Sequence, residues 1–138
     1  KKDPQGRKII YDSLSKKFAH FIPIGRLDYA SEGVLLLTDD IDIANALMHS
    51  ELERVYKIKI AGNITPSIIL AMKNGLTLKD ARAGGYEKSK ITSMSFAPFL
   101  WYQIQKNTEK FSILKVSIAE GKNRELRRFF AHFERQVL

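Results

Sequence analysis

Cysteine is absent from this chain, which excludes a disulfide scaffold, a thiol nucleophile and any thiolate-bound metal. Long apolar runs are missing too. Nothing approaches the roughly 20 residues of a membrane-spanning helix, and the basic start KKDPQGRK leads into no apolar stretch of the signal-peptide kind. The three histidines, His20, His49 and His132, show neither HxxxH nor HxH spacing, so no zinc site is expected. Neither GxxxxGK[ST] nor GxGxxG occurs, so no nucleoside triphosphate or dinucleotide is expected. What the chain does have is 138 residues, 44% hydrophobic and 28% charged, enough for one globular domain with a sizeable core. Its net charge of +8 favours a polyanionic partner, either nucleic acid or an anionic membrane surface.

Hydrophobic spacing predicts a short helix over 9–18, with Ile10, Leu14 and Phe18 on one face. The apolar run Val34 to Leu37 predicts a central strand. A helix should follow it, capped by Asp39 or Asp40, with Ile43, Ala46 and Leu47 buried. RVYKIKIAG alternates, placing Tyr56, Ile58 and Ile60 on one face and Val55, Lys57 and Lys59 on the other. Thr65-Pro66 starts a helix that Asn74-Gly75 ends. Segments 87–96 and 111–119 show strand patterns, and 123–133 reads as a basic amphipathic helix. Strands and helices interleave without a regular βαβ period. The expected class is therefore α+β, a mixed and largely antiparallel sheet with flanking helices.

Several residues invite a chemical reading beside a structural one. In GRLDYASEGVLLLTDD, Asp28 follows Arg26 by two residues, and glycines bracket the loop. Turn-forming is the common use of a loop aspartate. An ionised carboxylate on a rigid support, however, can act as nucleophile or general base. Tyr56 is either a core tyrosine or a platform on which a base stacks. EGKNRELRRFFAHF carries Lys122, Arg124, Arg127, Arg128 and Arg135, either as a solvated face or as a phosphate-binding cluster near a helix start. Arg124 and Arg128 are four apart, so Arg127 is expected to point elsewhere, inward to a carboxylate, while those two meet phosphate. Asp39 and Asp40 suit a helix cap better than a metal pair.

Taken together, GRLD-x-x-S-x-G-VLLL-T-D, then ERVYKIKI with its tyrosine, then EGKNRELRRFF resemble in order the motifs of the RNA pseudouridine synthases of the small-subunit rRNA type. LMHSELERVYKIKIAG and the WYQ segment look closest to the members that act on large-subunit rRNA. The resemblance implies the pseudouridine synthase catalytic fold and an isomerase. Such an enzyme breaks the N-glycosidic bond of a uridine in ribosomal RNA, 23S by the finer likeness, and rejoins the base through carbon 5. It implies Asp28 as nucleophile, Tyr56 packing against the target base and Arg127 pairing with the aspartate. Arg26, Lys122, Asn123, Arg124 and Arg128 are the expected RNA contacts, with no metal and no cofactor.

Two departures from the family pattern accompany this likeness. A strand with a Lys-Pro pair and a basic domain of the ribosomal S4 type usually precede the catalytic domain, and a further strand follows the last helix. Residues 1–138 are therefore expected to be a single catalytic domain taken from a longer protein, monomeric, cytoplasmic and without membrane contact. The competing expectations are a non-catalytic RNA-binding module using the basic segment 122–135, and a small metal-dependent hydrolase built on Asp28 with Asp39 or Asp40.

Overall fold

A computed structural model describes residues 2–138. The chain divides into two compact units, Lys1–Ser50 and Glu51–Leu138.

In the first unit, two single turns of 3-10 helix, Ile10–Asp12 and Lys16–Phe18, precede strand β1 (Ile22–Pro23). Strand β2 (Leu37–Thr38) pairs antiparallel with β1, and helix α1 (Ile41–Met48) follows. The continuous helix expected over 9–18 is instead two separate turns: Asp12 accepts the Ile9 N–H at 2.8 Å and caps the start of the first, which ends at Ser13 before the second begins at Lys16. Leu14, Phe18 and Phe21 instead line a small apolar pocket with Leu37. Asp40 caps α1 as the sequence suggests, accepting the N–H groups of Asp42 at 2.8 Å and Ile43 at 3.1 Å. The inward stripe of α1 is narrower than expected: Ala44 is buried and Leu47 half-buried, whereas Ile43 and Ala46 are exposed. A ladder of two residue pairs covers only a thin strip of helix.

The run Val34 to Leu37 departs most from expectation. Only Leu37 enters β2, while Val34 is 86% and Leu36 56% exposed. Its partner strand ends early. The Ile24 N–H still donates to Leu36 O at 2.8 Å, but at Gly25 φ is +87° and the chain leaves the ladder.

In the second unit, strands β3 (Arg54–Ala61), β6 (Trp101–Asn107) and β7 (Phe111–Ile118) form an antiparallel sheet with β7 in the centre. The chain end runs beside β3, since Ala61 N donates to Gln136 O at 2.9 Å and Leu138 N to Lys59 O at 2.8 Å. Helix α2 (Pro66–Asn74) starts where Thr65 Oγ1 accepts the Ile68 N–H and stops at Gly75, both as the sequence suggests. The short strands β4 (Leu76–Leu78) and β5 (Met94–Phe96) pair with each other, and helix α3 (Glu125–His132) closes the unit.

The alternation in β3 is realised: Ile58 and Ile60 are buried, Lys57 and Lys59 exposed. Leu126, Phe129, Phe130 and Phe133, spaced i, i+3, i+4 and i+7, turn one stripe of α3 onto the sheet. The Phe129 ring lies at the centre of an aromatic cluster, with centroids 5.5 Å from Phe96, 4.9 Å from Phe99 and 5.1 Å from Phe130. Among the described residues every ladder is antiparallel, and the class is α+β. Of the strand pattern over 87–96, only Met94–Phe96 is a strand.

Truncating Phe129 to Ala leaves a cavity where this cluster meets. Urea unfolding should show a loss of about 3–5 kcal/mol; a loss below about 1 kcal/mol would mean that the cluster does not organise the core.

Candidate functional site

Asp28 sits in the loop between β1 and β2, half-buried, and its carbonyl accepts the Ser31 N–H at 2.9 Å in a tight turn. The loop is entered at Gly25 and left at Gly33, with φ of +87° and +148°. A Cβ at either glycine would meet nothing within 4 Å, so backbone conformation rather than space calls for glycine there. Beside Asp28, the exposed Tyr29 ring lies under the Arg7 guanidinium at 5.3 Å, and Arg7 also pairs with Asp3 at 2.8 Å. Arg26 is exposed in the same loop.

The second unit has a cleft of about 430 Å³ lined by Arg124, Arg127 and Arg135, with Gly84, Ala131, Glu134, Gln136 and Val137. Each arginine is tethered to a carbonyl. Arg124 Nε donates to Gly84 O at 2.8 Å, one Arg127 terminal nitrogen to Val137 O at 3.1 Å, and Arg135 Nε to Asn63 O at 2.8 Å. Three guanidinium groups around one concavity make an anion site whose donors are set in place before a ligand arrives.

Arg128 points the other way and is 1% exposed. Its guanidinium donates to Ala81 O at 2.7 Å, Asn123 O at 3.0 Å, Asn123 Oδ1 at 2.9 Å and Ser89 Oγ at 3.2 Å. Burial and the nearby Arg124 charge lower its pKa below the usual arginine value.

The turn before α3 is held by carboxyl groups. Glu125 is buried and accepts the Lys122 N–H at 3.2 Å, and its carboxyl meets that of Glu120. Lys122 Nζ pairs with Glu120 at 3.2 Å and donates to Ser95 O. Burial first, and then the hydrogen bond with Glu120, push the Glu125 carboxyl up to about 7, so it holds a proton that Glu120 does not. Tyr56 lies on β3 directly opposite Val116 and is 37% exposed, on the face that Ile58 and Ile60 bury further along. Arg54, one step up that face, donates to Ala119 O at 2.7 Å and so fastens β3 to the same turn.

Comparison with known proteins gives this geometry a context. The model of the family described as RNA pseudouridylate synthase matches residues 1–132. The chain belongs to that family. An uncharacterised RNA pseudouridine synthase of Helicobacter pylori is 56% identical over 138 residues, covering 100% of this chain and 53% of that protein. The ribosomal large subunit pseudouridine synthase B of Bacillus subtilis is 31% identical over 138 residues, covering 99% of this chain and 52% of that protein. The chain thus spans about half the length of the curated relatives it matches. A solved pseudouridylate synthase structure superposes with a TM-score of 0.71 over 94% of this chain and 50% of that one, at 22% identity, and shares the fold.

The placements refine the expected set. Arg124 and Arg127 share the cleft, whereas Arg128, expected beside Arg124 on phosphate, is turned into the protein. Arg124 is the N-cap of α3 with φ of +49° and still accepts the Arg128 N–H at 2.9 Å, but its side chain runs to Gly84 while the Arg128 guanidinium is drawn inward by Ala81, Ser89 and Asn123. Asn123 spends its side-chain oxygen on Arg128, and Lys122 is occupied by Glu120 and Ser95. Gly84 escaped sequence reading altogether. A Cβ there would stand 2.4 Å from Arg127 O, so the 81–89 segment reaches α3 only through a glycine.

The raised Glu125 group gives a pH signature. Its folded value of about 7 exceeds the ordinary 4.5, so its stabilisation is complete below about pH 4.5 and is lost as pH rises through 7. Glu125→Gln keeps a donor for Glu120 and an acceptor for Lys122. Thermal melts should show the wild-type Tm falling relative to the variant between pH 5 and 8; parallel curves would place no proton on Glu125.

Proposed function

We propose that this chain is the catalytic part of an rRNA pseudouridine synthase, an isomerase that converts a specific uridine, in the large-subunit RNA, to pseudouridine. The observation that carries the reading is the family match over residues 1–132, a span that takes in Asp28, Tyr56 and Arg127. The relative from Bacillus subtilis, named for the large subunit, supports the finer substrate.

In this reading Asp28 is the nucleophile, presented on a loop whose ends are set by β1, β2 and two glycines. The motif likeness pairs this carboxylate with Arg127. The target uridine must leave its stack to be reached, at a cost of a few kcal/mol. Tyr56 offsets part of that cost by stacking on the base, worth about 1–3 kcal/mol. Arg124 and Arg135 take flanking phosphates in the cleft, and Arg26 takes a phosphate or the space the base vacates. Lys122, Asn123 and Arg128 hold the turn that carries these groups rather than touching RNA themselves. The chemistry asks for a nucleophile, a base platform and counter-charges, and for no metal or cofactor. The enzyme works as a cytoplasmic monomer.

The test is tritium release from ribosomal RNA carrying 5-tritiated uridine, with the full-length protein. Asp28→Asn should lower release by at least 10³-fold, in the range of losses for removed catalytic groups, while RNA affinity stays within about twofold. Full activity of Asp28→Asn would refute the nucleophile assignment. Tight RNA binding with no release by the wild-type protein would make the chain a binding module instead.

A further inference from the structure

The helices and core of the second unit occupy one side of the β3–β7–β6 sheet, where Ile58, Ile60, Leu114, Val116 and Ile118 are buried. The opposite side carries four lysines, with Phe111 and Ile113 among them and Val55 and Trp101 at one end. Lys57 stands directly opposite Lys115 across the β3–β7 ladder, with Gln103 of β6 next in line. One step along, Lys59 and Lys106 both flank Ile113, and their ammonium groups lie 4.5 Å and 4.2 Å from the Phe111 ring centroid. Lys57, Lys59 and Lys106 are exposed and Lys115 is half-buried.

Like charges placed directly opposite on a sheet are destabilising. Here no carboxylate relieves them: among the described residues, none of these lysines lies within ion-pair distance of Asp or Glu. Glu53, at the far end of the face, is engaged by Trp101 Nε1 at 2.5 Å and Ser117 Oγ at 2.8 Å. The two aromatic rings are therefore committed, Phe111 to lysines and Trp101 to Glu53. What the face offers a partner is positive charge on a regular grid, about 5 Å across strands and about 7 Å along them.

We propose that this sheet face is a second RNA-binding surface, separate from the arginine cleft, which takes phosphates of the RNA backbone on Lys57, Lys59, Lys106 and Lys115. Charge complementarity selects the occupant. Lysine binds phosphate as a hydrated point charge and fixes position without reading sequence. Protein interfaces, by contrast, deplete lysine at their centres, whereas here lysines hold the middle of the face and the exposed Val55 and Trp101 lie together at one end of it, opposite Ser117. The proposal rests on the reading that RNA is the substrate. It adds that a stretch of RNA beyond the reacting uridine lies along β3, β7 and β6.

The experiment compares the full-length wild-type protein with the double variant Lys57→Gln/Lys115→Gln. The probe is a fluorescein-labelled oligouridylate of about 30 nucleotides, long enough to cover more than one binding patch. Removing two phosphate contacts should weaken binding roughly tenfold at low salt and reduce the slope of log affinity against log salt by about 1.4. The Tm should stay level or rise, because a like-charge pair is relieved. Unchanged affinity and salt slope would overturn the surface while leaving the isomerase reading intact. A double variant that loses oligouridylate affinity, in a protein that releases no tritium, would keep the surface and reject the isomerase. Tighter binding of polyglutamate or anionic vesicles than of oligouridylate would overturn it in favour of an acidic protein or a membrane.

Discussion

A buried cation with no carboxylate partner among the described residues organises the basic end of this chain. Removing a guanidinium from water is costly unless its donors are satisfied, and Arg128 meets that condition with two backbone carbonyls, an amide oxygen and a hydroxyl. Those acceptors come from Ala81, Ser89 and Asn123, so one side chain ties α3 both to the 81–89 segment and to the turn that precedes the helix. Burying Arg128 decides the rest of the helix. With Phe129 and Phe130 in the core, Arg127 and Ala131 fall on the remaining stripe, which faces the cleft. Gly84 then presses against the backbone of Arg127 and offers its carbonyl to Arg124. The concavity thus depends on a residue that does not line it.

The first unit solves a different problem. Its ladder has only two residue pairs, yet it carries a nine-residue excursion between Gly25 and Leu35 with Asp28 near its start. The φ values at Gly25 and Gly33 turn the chain out of the ladder and back into it. An L-residue at either position would strain the backbone even though the space is open. Motif order in the sequence follows from this: charged loop, glycine, then the apolar run that re-enters the ladder at Leu37.

Local signals were legible where local forces dominate. The Asp40 and Thr65-Pro66 caps, the stop at Gly75 and the period-two alternation of β3 each depend on a few neighbouring residues, and each is found where the sequence puts it. Non-local pairing was not legible. Met94–Phe96 is a strand because Leu76–Leu78 lies beside it, 18 residues earlier, and nothing in either segment announces the other. The run Val34 to Leu37 shows the converse, since apolarity predicts burial only when something covers the run. At the site, the composition of EGKNRELRR was readable but its directions were not. Arg124 caps the helix in a left-handed conformation and reaches Gly84, while buried acceptors on Ala81, Ser89 and Asn123 draw Arg128 inward, and neither is visible in the spacing.

The two basic surfaces of the second unit differ in kind, and the difference is chemical. In the cleft the cations are arginines tethered by carbonyls, so little side-chain freedom remains to be lost when an anion binds. Such groups suit a centre where atoms must be held to within fractions of an ångström. On the sheet face the cations are lysines on flexible stems, two of them resting on one phenylalanine ring. They can follow a phosphate backbone without demanding one geometry of it. On the proposed reading the two properties divide the work, rigidity where a base is handled and tolerant grip where the remainder of an RNA strand passes. Separating arginine from lysine across one small sheet provides the two without either compromising the other.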